Sequence, residues 1–129
     1  MTMTSEVQTI FQDAHNMHSA AMSQMEQGDI RDAAEKAWCA TKRATDALVL
    51  ARTGEEPKRS TDTSIQLDIL ADSDNRVKTL VGRYYSRQSS LHGDCFYLGI
   101  LARMETIERR IRETSDYIRD AEELAESVS

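Results

Sequence analysis

From Tyr97 to Val128, apolar or small residues recur at alternating steps of three and four: Tyr97, Leu101, Met104, Ile107, Ile111, Thr114, Ile118, Ala121, Ala125 and Val128. That period places them on one face of an amphipathic helix. It predicts a final helix over about 94–127, which at ~1.5 Å per residue would span about 50 Å. Such a helix is longer than a compact domain of this size needs, and its pattern approaches a coiled-coil seam. Its end is therefore expected to pack on a second copy, completing the bundle as a homodimer.

The same period runs through the rest of the chain. Ser5-Glu-Val-Gln8 has the form of a capping box, and Val7, Ile10, Phe11, Ala14, Met17, Ala21 and Met25 follow it, so a first helix is expected over about 5–27. Gly28 then supplies a C-terminal stop and Asp29 the next N-cap, a tight turn that makes helices one and two antiparallel. Helix two, about 29–53, carries Ala33, Ala34, Ala37, Trp38, Thr41, Ala44, Ala47, Leu48 and Ala51 on its inward face, and so many alanines allow a neighbour to approach closely. Gly54 to Ser60, with the only proline, reads as an exposed loop. A short helix is expected over about 62–71. Another, capped by Asp74, should run over about 75–91 with Val77, Leu80, Val81, Tyr84, Gln88 and Leu91 inward. Opposite lies a polar stripe of Arg76, Thr79, Arg83, Arg87 and Ser90.

Two phenylalanines and abundant Ala, Leu, Glu and Arg favour helix over sheet, and 129 residues suffice for one core but not two. The expected fold is a single all-α domain, an antiparallel bundle of about four to five helices. The start, MTMTSEVQ, has neither a basic leader nor an apolar run, and no stretch reaches the ~18 apolar residues of a membrane span, which predicts a cytoplasmic protein. Cys39 and Cys95 lack CxxC spacing and read as core thiols. His15 and His18 lie one turn apart among Met17, Met22 and Met25, but no acidic or cysteine ligand completes a metal site at helical spacing, so neither metal nor cofactor is expected.

One stretch carries chemistry. Arg87 is followed after four residues by His92 and then by Gly93 and Asp94. On an unbroken α-helix, residues five apart point about 140° away from each other. Gly93 as a helix stop and Asp94 as an N-cap would break the helix there and let the two side chains converge at a corner. Arg83, one turn before Arg87, can act on the same anion.

This arrangement, in the stretch RYYSRQSSLHGDCFY from Arg83 to Tyr97, resembles the HEPN superfamily, small helical bundles with an arginine four to six residues before a histidine near the start of the last long helix. Gln88 follows the arginine, where ribonuclease members more often carry Asn, Asp or His. The resemblance implies one of two functions. The first is a metal-independent endoribonuclease with a composite site at the dimer interface. There His92 would move the proton of the 2′-hydroxyl and Arg87 would stabilise the phosphate, with Arg83, Gln88, Ser90 and Tyr97 holding the strand. The second is a non-catalytic module that binds a nucleotide or assembles with a partner, for example a nucleotidyltransferase in a toxin–antitoxin pair.

The formal charge of −6 argues against a general nucleic-acid coat, yet residues 76–119 hold nine Lys+Arg against five Asp+Glu, leaving seven against seventeen elsewhere. A basic surface around Arg87 is therefore compatible with a chain that otherwise repels polyanions.

Overall fold

A computed structural model describes residues 3–126, and among these there is no strand. The helices are α1 (Ser5–Glu26), α2 (Ile30–Thr53), α3 (Ser60–Ser73) and α4 (Asn75–Arg87), then a π-helical segment (Gln88–Tyr97), α5 (Met104–Arg112) and α6 (Thr114–Glu126). The π segment continues α4 directly, and a single residue, Glu113, separates α5 from α6. The described residues thus form an all-helical bundle of five rods, two of them interrupted.

The central rod is α2. Ala33, Ala34, Ala37, Ala40, Ala44 and Ala47 are all fully buried around its circumference, and α1, the π segment and α6 pack on it. With only methyl groups on these positions the neighbouring helices approach closely. The close neighbours that these alanines admit are therefore helices of the same chain. Tyr117 crosses from α6 to donate its hydroxyl hydrogen to Thr45 Oγ1 at 2.7 Å, since Thr45 Oγ1 already donates to the Thr41 carbonyl at 2.8 Å. Tyr117→Phe should cost about 1 kcal/mol, the usual net value of one buried hydrogen bond, read as a lower denaturant midpoint with an unchanged slope.

Helix ends follow local chemistry where the sequence pointed to it. Gly28 and Gly54 take the left-handed φ values of 85° and 83° that glycine tolerates. Asp29 accepts from the Asp32 amide at 3.1 Å and Asp74 from the Arg76 amide at 2.9 Å. At the first helix the cap is one residue earlier than the capping box implied: Thr4, not Ser5, accepts from the Val7 amide at 3.2 Å.

The C-terminal third departs from expectation. Gly93 and Asp94 do not break the chain but sit inside the π segment, and the break falls at 98–103. Gly99, with φ 67°, is the glycine that turns the backbone. A side chain there would meet the Arg31 guanidinium at 3.2 Å, which itself holds the Phe96 carbonyl at 2.6 Å and the Tyr97 carbonyl at 3.2 Å. The 50 Å helix over 94–127 is therefore not formed. Its seam is real from Ile107 through Ile111, Thr114, Ile118, Ala121 and Ala125, all buried in this chain's own core. Tyr97, Leu101 and Met104 are exposed instead, and Val128 lies outside the described residues. The overlong helix on which the expected homodimer rested is thus replaced by two shorter ones packed in this chain's own core.

Among the described residues no helix is long and apolar enough to cross a membrane.

Candidate functional site

Arg87 does not lie on the solvent-facing stripe. It is 8% exposed, with Nε donating to Thr41 Oγ1 on α2 at 3.0 Å and Nη2 donating to Thr114 Oγ1 at the start of α6. Thr41 can accept because its own hydrogen goes to the Ala37 carbonyl at 2.9 Å. Both partners are neutral. Arg87 makes no ion pair with any described residue, and its third nitrogen, Nη1, has no hydrogen-bond partner among them. Burial, only partly opposed by Tyr117 and Glu113 and reinforced by the nearby charges of Arg83 and Arg110, pushes the guanidinium down to about 10, which still leaves it protonated at neutral pH.

A guanidinium removed from water without a counter-charge is costly. The surroundings show where a counter-charge would sit. Arg87 lines a cleft of about 340 Å³ between α4 and the α5–α6 rod, with Arg83 and Ser86 on one wall and Arg110, Glu113 and Asp116 on the other. Both carboxylates also line it, Glu113 paired with Arg109 at 3.7 Å and Asp116 with Arg119. Arg83 reaches Asp120 at 2.7 Å and lies over the Tyr117 ring, 5.3 Å from its centroid. Arg110 forms no ion pair among the described residues. Three arginines and two carboxylates thus line the cleft, a surplus of one positive charge, and of the arginines Arg87 and Arg110 make no ion pair among the described residues and are the ones open to an incoming anion.

His92 is elsewhere. Its Nδ1 lies 2.7 Å from Glu35 Oε1 on α2, its ring stacks on Phe96 with centroids 6.1 Å apart, and Trp38 lies 6.4 Å away. The imidazole is 42% exposed. Arg87 and His92 both touch α2, at Thr41 and Glu35, positions about 9 Å apart along a helix axis at ~1.5 Å per residue. The expected convergence at a Gly93 corner is therefore not present within one chain, because the helix stays unbroken there and Arg87 is drawn inward by the two threonines.

Of the other residues read from the sequence, Arg83 lines the cleft with Arg87, and Ser90 lines a second hollow beside it that shares Arg110. Gln88 and Tyr97 line neither, and Tyr97 is 73% exposed at the end of the π segment. Sequence reading did not single out Glu35, Arg110, Thr41 or Thr114 as site residues. The threonines did leave a signal: both stand in apolar stripes, where a hydroxyl must find a partner. His15, read as one of a lone histidine pair, meets Glu122 at 2.9 Å. Burial, then His15 and Arg87, holds His18 below the ordinary histidine range. Cys39 is half-buried and Cys95 buried, and burial raises both thiols.

Searches of curated proteins and of solved structures give no significant match. The archaeal PaREP1/PaREP8 family model matches residues 9–128, nearly the whole helical bundle, and the chain belongs to that family.

Proposed function

We propose that this chain is a non-catalytic, HEPN-like helical module that binds a phosphate-bearing ligand, RNA or a nucleotide, in the cleft between α4 and the α5–α6 rod. The observation that carries this is Arg87: a buried guanidinium fixed by two neutral hydroxyls, with its remaining nitrogen unpartnered at a cleft that Arg83 and Arg110 also line. Charge-assisted hydrogen bonds are worth about 1.5–3 kcal/mol each, so a phosphate bridging Arg87 and Arg110 would offset the burial of Arg87 charged. Pyrophosphate at low ionic strength should raise the melting temperature of the wild type, by linkage about 2.7 kcal/mol at a hundred times the dissociation constant. Arg110→Glu should remove the shift. A wild type whose melting point ignores pyrophosphate would end the proposal.

The endoribonuclease reading keeps one observation in its favour, the His92–Glu35 pair. A carboxylate at Nδ1 orients a partly exposed imidazole for proton transfer at its other nitrogen. It requires a second copy to bring an arginine to His92. In that case RNA would be cut to 2′,3′-cyclic phosphate ends, His92→Ala would abolish cleavage and Glu35→Gln would slow it. An uncut RNA with wild-type protein would leave binding alone, with assembly onto a partner such as a nucleotidyltransferase as its outlet.

A further inference from the structure

The hollow beside the phosphate cleft has a different character. It holds about 280 Å³ and is lined by Ser90 and Asp94 from the π segment, by Ile100 and Ala102 from the break, and by Ile107 and Arg110 from α5. Arg110 lines both spaces, so the two adjoin along one side chain. The polar side of this groove is built by spacing: Arg83, Arg87, Ser90 and Asp94 follow at steps of four, three and four along the α4–π rod. A π segment is a frequent accompaniment of functional sites because it re-aims side chains relative to an α-helix.

The second hollow is apolar at Ile100, Ala102 and Ile107, yet Ser90, which lines it, carries a hydroxyl that is buried behind its surface without a hydrogen-bond partner. A buried hydroxyl left unpaired disfavours an aliphatic occupant. The Asp94 carboxylate makes no side-chain hydrogen bond among the described residues, and guanidinium planes such as Arg110 stack on flat rings. A planar ring with apolar faces, a polar edge and an amino group satisfies all of these at once, and each space is of the size that holds part of a small ligand.

Resting on the phosphate-binding reading above, the geometry points to a mononucleotide with an amino-bearing base as the ligand, its phosphate at Arg87 and Arg110 and its base in the hollow of Ser90, Asp94, Ile100 and Ile107. Charge favours a single nucleotide over a strand. Outside residues 76–119 the chain carries seventeen acidic against seven basic residues, so a long polyanion leaving the groove meets a repulsive field while a mononucleotide stays within it.

Calorimetric titration with adenosine 5′-monophosphate, ribose 5-phosphate and a short oligoadenylate tests this. The monophosphate should bind at least about tenfold more tightly than ribose 5-phosphate, a gap of about 1.4 kcal/mol. Ala102→Phe, which fills the hollow from an exposed position, should abolish that gap while leaving ribose 5-phosphate affinity and the melting temperature unchanged. Ser90→Ala should narrow it. Equal affinity for the two phosphates would overturn the base hollow while leaving the phosphate cleft intact. Tighter binding of the oligoadenylate than of the monophosphate would overturn the mononucleotide in favour of a strand. Failure of all three to bind would overturn both the hollow and the cleft.

Discussion

Replacing Arg87 with methionine is expected to make the free protein more stable and to abolish phosphate binding in the same step. Methionine fills the space of the arginine stem with a flexible apolar chain and removes a buried charge that makes no ion pair among the described residues and on which Glu113 acts only from a distance. Thr41 keeps its bond to the Ala37 carbonyl, and Thr114 keeps a long one, 3.5 Å, to the Arg110 carbonyl, so neither hydroxyl loses its only partner. Substituting well-packed apolar groups for buried charges is often stabilising by about 1–4 kcal/mol. At the low end of that range the melting temperature should rise by roughly 2–8 °C. The pyrophosphate-dependent shift should vanish. If Arg87 were a structural keystone instead, the variant would melt lower than the wild type.

Trp38→Ala is expected to have the largest effect on folding. The indole is 6% exposed at the centre of α2, with its ring centroid 5.1 Å from that of the fully buried Tyr84 and 6.4 Å from that of His92. Truncating a buried tryptophan costs about 3–5 kcal/mol through lost transfer energy and the cavity left behind, a large part of the roughly 5–15 kcal/mol that holds a domain together. The variant should be substantially unfolded at 37 °C, with Trp38→Phe recovering most of the loss. Trp38 is the only tryptophan, so unfolding must be followed by circular dichroism. A midpoint within about 1 kcal/mol of wild type would mean that α2 does not anchor the bundle through this residue.

What could be read in the sequence was what short-range chemistry decides. Gly28, Asp29, Gly54 and Asp74 end or begin helices by interactions within four residues, and all four do so in the structure. The C-terminal corner offered two glycines, Gly93 and Gly99, and the choice between them is made by Arg31, which is more than sixty residues away in sequence and holds the carbonyls beside Gly99. The π geometry likewise leaves no local trace in the sequence. Its buried residues, Leu91 and Cys95, are fixed by the surface of α2.

The site divides in the same way. Helical spacing put Arg83, Arg87 and Ser90 on one stripe, and in the structure Arg83 and Arg87 line the cleft while Ser90 lines the hollow beside it. It placed Arg87 toward solvent because arginine is polar, and missed that two threonines on other helices draw it inward. The link between Arg87 and His92 rested on their spacing and on a helix break at Gly93 and Asp94 that does not form, and Glu35, 57 positions away, holds the imidazole.

The most direct test of the phosphate cleft is a crystal structure grown with adenosine 5′-monophosphate. The phosphate is expected between Arg110 and the unpartnered Nη1 of Arg87, within about 3 Å of that nitrogen. A nucleotide held instead against His92 and Glu35, with the cleft between α4 and α5 containing only water, would contradict the account.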